Sequence, residues 1–298
     1  MTIDFSKLKT SSGNSGNLSK LTKAVEALSA SIDGKSDKEN YWRPEVDKAG
    51  NGMATIRFLP ASAVDGDDGL PWAKIFEHGF QGPGGWLIDK CLTTKGQQCP
   101  VCEHNSKLWN SGIEANKDIV RKQKRKLSYI ANIYIVSDPK HPENEGQVKL
   151  FKFGAKIFEK ITGAMNPQFE DETPINPFDL WKGANFKLKI TKVAGYQNYD
   201  KSEFMSASAL LDDDSQLEKI WKSEFSLAEM TADKEFKSYD ILKARLDKVL
   251  GLNDDGDAPR ARTTVEQAKA APKKPVEVDI TESADDDLDY FSKLAESD

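Results

Sequence analysis

Three cysteines fall inside the stretch CLTTKGQQCPVC, Cys91 to Cys102, and the chain has no others. Their spacing is Cys91-x7-Cys99-x2-Cys102. An odd set so tightly bunched makes a poor disulfide framework and a good metal or reactive site. The Cys-Pro-Val-Cys knuckle turns two thiolates toward one centre. Zinc takes four nitrogen or sulfur ligands in a tetrahedron, so three sulfurs call for one more ligand. His78 precedes Cys91 at the end of an expected strand, and His104 follows Cys102 on the helix expected to leave the knuckle. Spacing favours His78, because a ring at 104 travels with that helix. A closed Cys3His set leaves no position open for water, so one structural Zn2+ is expected, folding the thin-cored region of about 72–110. The competing reading is three buried, reduced thiols.

The rest of the sequence sets the surroundings of that centre. No stretch approaches the ~20 apolar residues that span a bilayer, and MTIDFSKLKTSSGNSGN lacks the apolar centre of a signal peptide. A cytosolic protein without a membrane partner is expected. The net charge of −6 is unevenly spread. From Asp254 to Asp298 there are 13 acidic and 6 basic residues, which leaves 36 basic and 35 acidic on the first 253. The acidity therefore belongs to the tail, and the body is nearly neutral.

Alternation of polar and apolar residues predicts strands over 53–60, 72–80, 86–91, 127–136, 147–154 and 184–193. QGPGG at 81–85 is a strong turn signal, and AGYQNYD at 194–200 reads as a turn. Helices are expected at about 100–110 and 155–165, then over DSQLEKIWKSEF and SYDILKARLDKVLGL. The fold class is mainly β with α additions, a small elaborated barrel. Periodicity alone does not separate an OB-fold from other small barrels. NLSKLTKAVEALSASI has the spacing of a short amphipathic helix on a flexible N-terminal arm. The segment after 254, with EQAKAAPKKPVE followed by DDDLDYFSKL, has too few large apolar residues to fold alone and reads as a linker and acidic tail.

The body carries one dense basic run, RKQKRKLSY: Arg121, Lys122, Lys124, Arg125 and Lys126, then Ser128 and Tyr129. Lys149, Phe151 and Lys152 interleave on the next strand, and Tyr196 and Tyr199 follow. Cations along a groove with rings for bases to stack on are what a single nucleic-acid strand requires. Arg57 is a further candidate for that groove. Phosphate-cradling loops, a Gly-x-Ser-x-Gly elbow and a carboxylate pair tied to a His are all missing, which argues against an enzyme. Zinc deaminases want His-x-Glu and Pro-Cys-x-x-Cys, but His78 is followed by Gly79 and Phe80, and Pro100 lies inside the knuckle. The rival reading is a zinc-ribbon protein-interaction module that does not touch DNA.

The ordered segments AGNGMATIRFLP, CPVC, KRKLSYIANIYIV, PENEG, WKGANFKLKITKVAGYQNYD and MTADKEFKSY resemble the single-stranded DNA-binding proteins of T-even bacteriophages over roughly residues 40–245. The resemblance implies an OB-fold core over 39–253 with an inserted zinc subdomain. It also implies an arm over 1–38 for cooperative self-association and a partner-binding tail over 254–298. It places the zinc ligands at His78, Cys91, Cys99 and Cys102. DNA contacts fall at Tyr129, Phe151 and Tyr199, and neighbour contacts at Lys7, Lys9, Thr10 and Ser11. The family's three-cation motif departs here at Leu127 in the core and Leu8 in the arm. The implied role is nonspecific, cooperative binding of single strands in phage replication, recombination and repair. The implied partners are phage replication and recombination proteins, in the cytoplasm of a bacterial host.

Overall fold

A computed structural model describes residues 40–66, 68–169 and 171–252. The expected arm, with Lys7, Lys9, Thr10 and Ser11, and the acidic tail from Asp254 lie outside the described residues. The chain divides into Met1–Trp42 and Arg43–Asp298. Of the first unit only residues 40–42 are described, with Tyr41–Trp42 extended. The second unit carries the fold.

Its strands are β1 (Gly52–Phe58), β2 (Ala73–Gly82), β3 (Gly85–Lys90), β4 (Lys126–Ser137), β5 (Val148–Phe153), β6 (Ala184–Val193), β7 (Tyr196–Asn198) and β8 (Glu203–Ala207). Its α-helices are α1 (Pro100–Trp109), α2 (Glu114–Gln123), α3 (Ala155–Met165), α4 (Asp214–Lys222) and α5 (Tyr239–Leu250). The class is α+β, mostly sheet. All six expected strands and all four expected helices within the described residues form, to within a few residues at their ends.

The sheet is organised around β4, whose β-branched and aromatic run suits a strand buried on both faces. Along one edge, Lys126–Ile130 pair with β2 and Ile133–Ser137 pair with β1. Along the other edge, Tyr129–Tyr134 pair with β5. β1 continues to β6, which pairs with β7 and β8, and every one of these ladders is antiparallel. Phe58 centres the core of this sheet. Its ring meets Phe153, Phe178, Phe186 and Phe204 at centroid distances of 5.6–6.3 Å, mostly edge-on or tilted, as ring quadrupoles prefer.

Three elements escape the sequence reading. α2, EANKDIVRKQ, buries only Val120 and Gln123, so no apolar stripe announces it. The segment read as a turn at 194–200 is a hairpin: Ala194 at φ 53° and Gly195 at φ 94° supply the left-handed pair that a tight β-turn needs, and β7 follows at once. β8 is mostly exposed, with no buried residue, so its strand character comes only from pairing with β6.

A second core lies away from Phe58. Phe80, Leu87, Cys91, Leu92, Cys99 and Val101 pack against Leu242, Leu246 and Val249 of α5. The helix starts at Ser238, whose hydroxyl accepts from the Ile241 amide, and stops at Gly251 in the left-handed conformation. Asp89 on β3 pairs with Lys237, just before α5, at 2.5 Å and with Arg245 of α5 at 3.2 Å. The β2–β3 turn lies against the helix end, where the Gly84 amide donates to the Val249 carbonyl at 2.8 Å. A Cβ at Gly84 would sit 2.0 Å from the Lys248 carbonyl oxygen, and one at Gly82 would sit 2.4 Å from that of Val249. Gly84→Ala is therefore expected to destabilise the fold by about 1–3 kcal/mol, as overpacking against backbone does. Gly163→Ala, in α3 with open space around it, is expected to be neutral or stabilising. Thermal melts of the two variants check this, and equal melting temperatures would refute the close-approach argument.

Candidate metal centre and nucleic-acid interface

His78 lies on β2 opposite Asp89 of β3, and Cys91 follows directly after β3. Cys99 caps α1 and Cys102 sits in its first turn, so the Cys-Pro-Val-Cys knuckle is a helix start with Pro100 at its first position. The four ligand atoms all lie within 4.8 Å of one another. The His78 Nε2 is 3.5 Å from both the Cys99 and Cys102 sulfurs, and Cys91 Sγ is 3.5 Å from Cys102 Sγ. A tetrahedral zinc with Zn–S of about 2.3 Å and Zn–N of about 2.0 Å needs N···S near ~3.5 Å and S···S near ~3.8 Å. The residues fit. His78 Nδ1 lies 3.2 Å from the Gln123 carbonyl, which fixes the ring with Nε2 toward the sulfurs, the usual outer-shell arrangement of a metal-bound imidazole. His104 is on α1 outside this group, and burial together with Lys107 pushes its imidazole down.

The electrostatics of the bare group suit a site that could hold a cation. Burial works against a charged His78, but hydrogen bonds with Cys91 and Cys99 outweigh it and raise the imidazole to about 9. Its sulfur neighbours pull the Cys99 thiol far down, and the same crowding pushes Cys102 up, because a second thiolate beside the first is disfavoured. A divalent cation accommodates all three thiolates at once. The chemistry it would supply is cross-linking of β2, β3 and α1.

The basic run divides between α2 and β4. Arg121 and Lys122 are exposed on α2, while Lys124, Arg125 and Lys126 are half-buried as the chain turns into β4. Arg121 pairs with Asp118 at 2.5 Å and Glu114 at 3.1 Å, and Lys117 pairs with Glu114 at 3.0 Å. Glu114 and Asp118 raise the Arg121 guanidinium. These are solvent-facing pairs of the weak kind, which a phosphate can replace. Lys152 pairs with Glu77, which sits across from Lys126 on β2. Lys149 and Lys152 are three residues apart on one strand, so they project from opposite faces of the sheet and do not line a single wall.

The structure buries four of the expected DNA contacts. Arg57 is 0% exposed. Its guanidinium donates to Asn185 Oδ1 at 2.9 Å, the Asp179 carbonyl at 3.1 Å and the Ser208 carbonyl at 2.9 Å. Burial pushes it down to about 10, with Asp179 opposing. Arg57 ties β1 to the loops at 179 and 208 and faces no groove. Ser128 is buried, with its hydroxyl donating to Glu77 at 3.4 Å. Tyr129 is 7% exposed and lies flat on Phe158 of α3, with centroids 3.9 Å apart. Phe151 is 4% exposed and stacks on Phe153 at 5.3 Å. Their faces belong to the core. Tyr196, 57% exposed, and the half-buried Tyr199, whose hydroxyl donates to Gln197 Oε1 at 2.7 Å, remain on the surface.

The structure instead pairs cations with other rings. Arg125 lies over Phe76 at 4.4 Å from the centroid, with Lys74 at 5.3 Å from the same ring. Lys117 and Arg121 lie 5.8 and 5.9 Å from Trp109. Phe76 and Trp109 are half-buried. Lys74 and Phe76 share a face of β2, but Arg125 reaches that ring from just before β4, and Lys117 and Arg121 reach Trp109 from another helix, so the sequence shows neither group as a whole.

A family model described as gp32 DNA binding protein like matches residues 50–250. The chain is 38% identical over 284 residues to the single-stranded DNA-binding protein of Enterobacteria phage T4, covering 92% of this chain and 87% of that protein. It is 39% identical over 264 residues to the single-stranded DNA-binding protein of Enterobacteria phage T2, covering 86% and 80%. A shorter match, 41% identical over 98 residues, is to the single-stranded DNA-binding protein of Enterobacteria phage RB70, covering 32% of this chain and 78% of that protein. Matched by the family model over more than half its length, and similar to these relatives along most of it, the chain belongs to the gp32-like family of DNA-binding proteins.

Proposed function

We propose that this protein binds single-stranded DNA without sequence preference and performs no catalysis. The observation that carries the reading is family membership: the T4 and T2 relatives, similar across 80–87% of their own lengths, are named for single-stranded DNA binding. The surface chemistry supports it. Arg121, Lys122, Lys124, Arg125 and Lys126 concentrate positive charge where α2 passes into β4, in a body whose overall charge is close to zero. Phe76 and Trp109 place flat rings among those cations, and Tyr196, Tyr199, Lys149 and Lys152 are further candidates for contact. Phosphates replace the weak surface carboxylate pairs, and bases stack on the rings, which is sequence-tolerant because every base has a π-face.

The finer features belong to the same proposal. The antiparallel strands around β4 are read as an OB-type core over about 39–253, with a zinc-stabilised subdomain over about 72–110. The ion at His78, Cys91, Cys99 and Cys102 is read as a single structural Zn2+. Lys7, Lys9, Thr10 and Ser11 would contact the neighbouring copy along DNA. The acidic tail over 254–298 would lie on the cationic face until DNA displaces it, and then recruit phage replication and recombination proteins in the host cytoplasm. Among the described residues no helix is long and apolar enough to cross a membrane. Binding the single strand alone also destabilises duplex by mass action.

The test is a titration of oligo(dT) of increasing length while tyrosine and tryptophan emission is followed across salt concentrations. Emission is expected to fall on binding. Log affinity should drop with log salt at a slope of about −0.7 per phosphate neutralised. A protein that leaves emission unchanged and shows no affinity at low salt is an adaptor, and the reading fails.

A further inference from the structure

The metal centre and the cationic face meet at one side chain, Thr93, which none of the foregoing assigns. It sits in the 3-10 turn Leu92–Lys95 directly after Cys91. Its Oγ1 is 3.1 Å from Cys91 Sγ and accepts a hydrogen bond of 2.7 Å from Arg125 Nη1. A guanidinium can only donate, so the hydroxyl proton of Thr93 is left for the sulfur. One hydroxyl therefore joins a metal-ligating thiolate to a guanidinium that lies over the Phe76 ring. The neighbouring Thr94 fastens the same ring's backbone: its Oγ1 accepts from the Phe76 amide at 2.9 Å and donates to the Phe76 carbonyl at 3.3 Å. The Cys91 amide donates to that carbonyl as well, at 2.8 Å.

We propose that Thr93 is a positioning residue that couples the metal centre to the DNA-binding face, by holding Arg125 over Phe76 only while Cys91 is fixed as a metal ligand. The inference rests on the single-stranded DNA reading for its consequence, but not for the coupling itself. Release of Cys91 from the ion frees its side chain to move, and with it the Oγ1 that orients Arg125. A second tie runs in parallel. The Gln123 carbonyl, which ends α2 just before Lys124, receives both the His78 Nδ1–H and the Asn105 Nδ2–H, the latter at 3.0 Å. Occupancy of the metal site thus sets where the cationic run leaves its helix. Thr93 sets where Arg125 points.

The test is a double-mutant cycle of Thr93→Val and Arg125→Ala, with Thr93→Ser as the conservative control, in full-length protein. The first readout is the sulfur-to-metal charge-transfer band of the cobalt(II)-loaded protein. The second is the salt dependence of oligo(dT) affinity. Thr93→Val is expected to bind cobalt with unchanged stoichiometry and a shifted band. Arg125→Ala should shift the band in the wild-type background and leave it unmoved in Thr93→Val, because the effect passes through the hydroxyl. In the DNA assay both single variants should show a salt slope shallower by about 0.7, the loss of one phosphate contact, and the double variant no more than either. Thr93→Ser should restore both readouts. Additive effects, or a Thr93→Val band identical to wild type, overturn the coupling. If wild-type protein shows no affinity for oligo(dT) while the cobalt cycle is non-additive, the DNA reading fails and the coupling stands.

Discussion

Stripping the metal is expected to release two stretches of chain together, residues 72–110 and α5. The second is the informative one. α5 contributes no ligand, yet Leu242, Leu246 and Val249 pack in one cluster with Cys91, Leu92, Cys99 and Val101. Without the ion, a charged imidazole and a charged Cys99 thiolate remain in an apolar site beside two further sulfurs, with nothing cross-linking them. Losing on the order of 5 kcal/mol from a structural site would lower the melting temperature by roughly 10–20 °C in a domain of this size. Hydrogen exchange before and after chelation checks it. Protection should be lost over 73–102 and 239–250 in parallel, while β1 and β6 hold theirs. Protection that survives chelation everywhere would mean that the four residues do not form a structural metal site. Cys102→Ser should reproduce the chelated pattern at neutral pH. Acidification should reach the same state, since ligand protons compete with the metal.

The second large effect is a dependence of stability on pH that resides in Glu224. This side chain is 5% exposed, and both of its carboxylate oxygens lack hydrogen-bond partners. Burial, with the nearby Asp65 charge adding to it, pushes Glu224 up to about 9. Asp65 takes the available donors: the Ser226 hydroxyl, and the amides of Leu227 at 2.7 Å and Ala228 at 3.3 Å. Between roughly pH 4.5 and pH 9 the folded protein therefore keeps a proton that the unfolded chain has released. Stability falls as pH rises through that window, by up to about 1.4 kcal/mol per pH unit. At pH 7 the penalty relative to pH 4.5 approaches ~3 kcal/mol. Glu224→Gln, which has the same shape and never ionises, should remove this slope. Urea midpoints measured from pH 5 to pH 9 for both proteins decide it. Curves that run parallel across the range would show that Glu224 has a solvated partner and an ordinary acidity.

What could be read from the chain, and what could not, divides along a physical line. The four metal-site residues were legible because a knuckle with a third cysteine demands a fourth donor, and only His78 and His104 flank it nearby. The six strands were legible because one buried face stamps a period of two on the sequence. Periodicity names the apolar face of an element but not what covers it. That α5 closes the metal core is set by meetings between residues more than 130 positions apart, such as Tyr239 with Glu103 at 2.7 Å. The same blindness hid the burial of Tyr129, Phe151 and Arg57. A ring beside a lysine on a strand reads identically whether its face meets solvent or Phe158. An arginine inside MATIRFLP gives no sign that two loop carbonyls and an asparagine wait for it.

The long strand β4 carries a last consequence. One of its edges serves the β2–β3 hairpin, which carries His78, for its first residues and the main sheet for its last, with no linker between the two ladders. The hairpin therefore has no hinge of its own. To swing it outward, the chain would have to unzip the backbone pairs from Ala73↔Ile130 to Glu77↔Lys126. The relative setting of the two parts is decided before any ligand arrives, and grafting the hairpin onto another scaffold would require carrying half of β4 along with it.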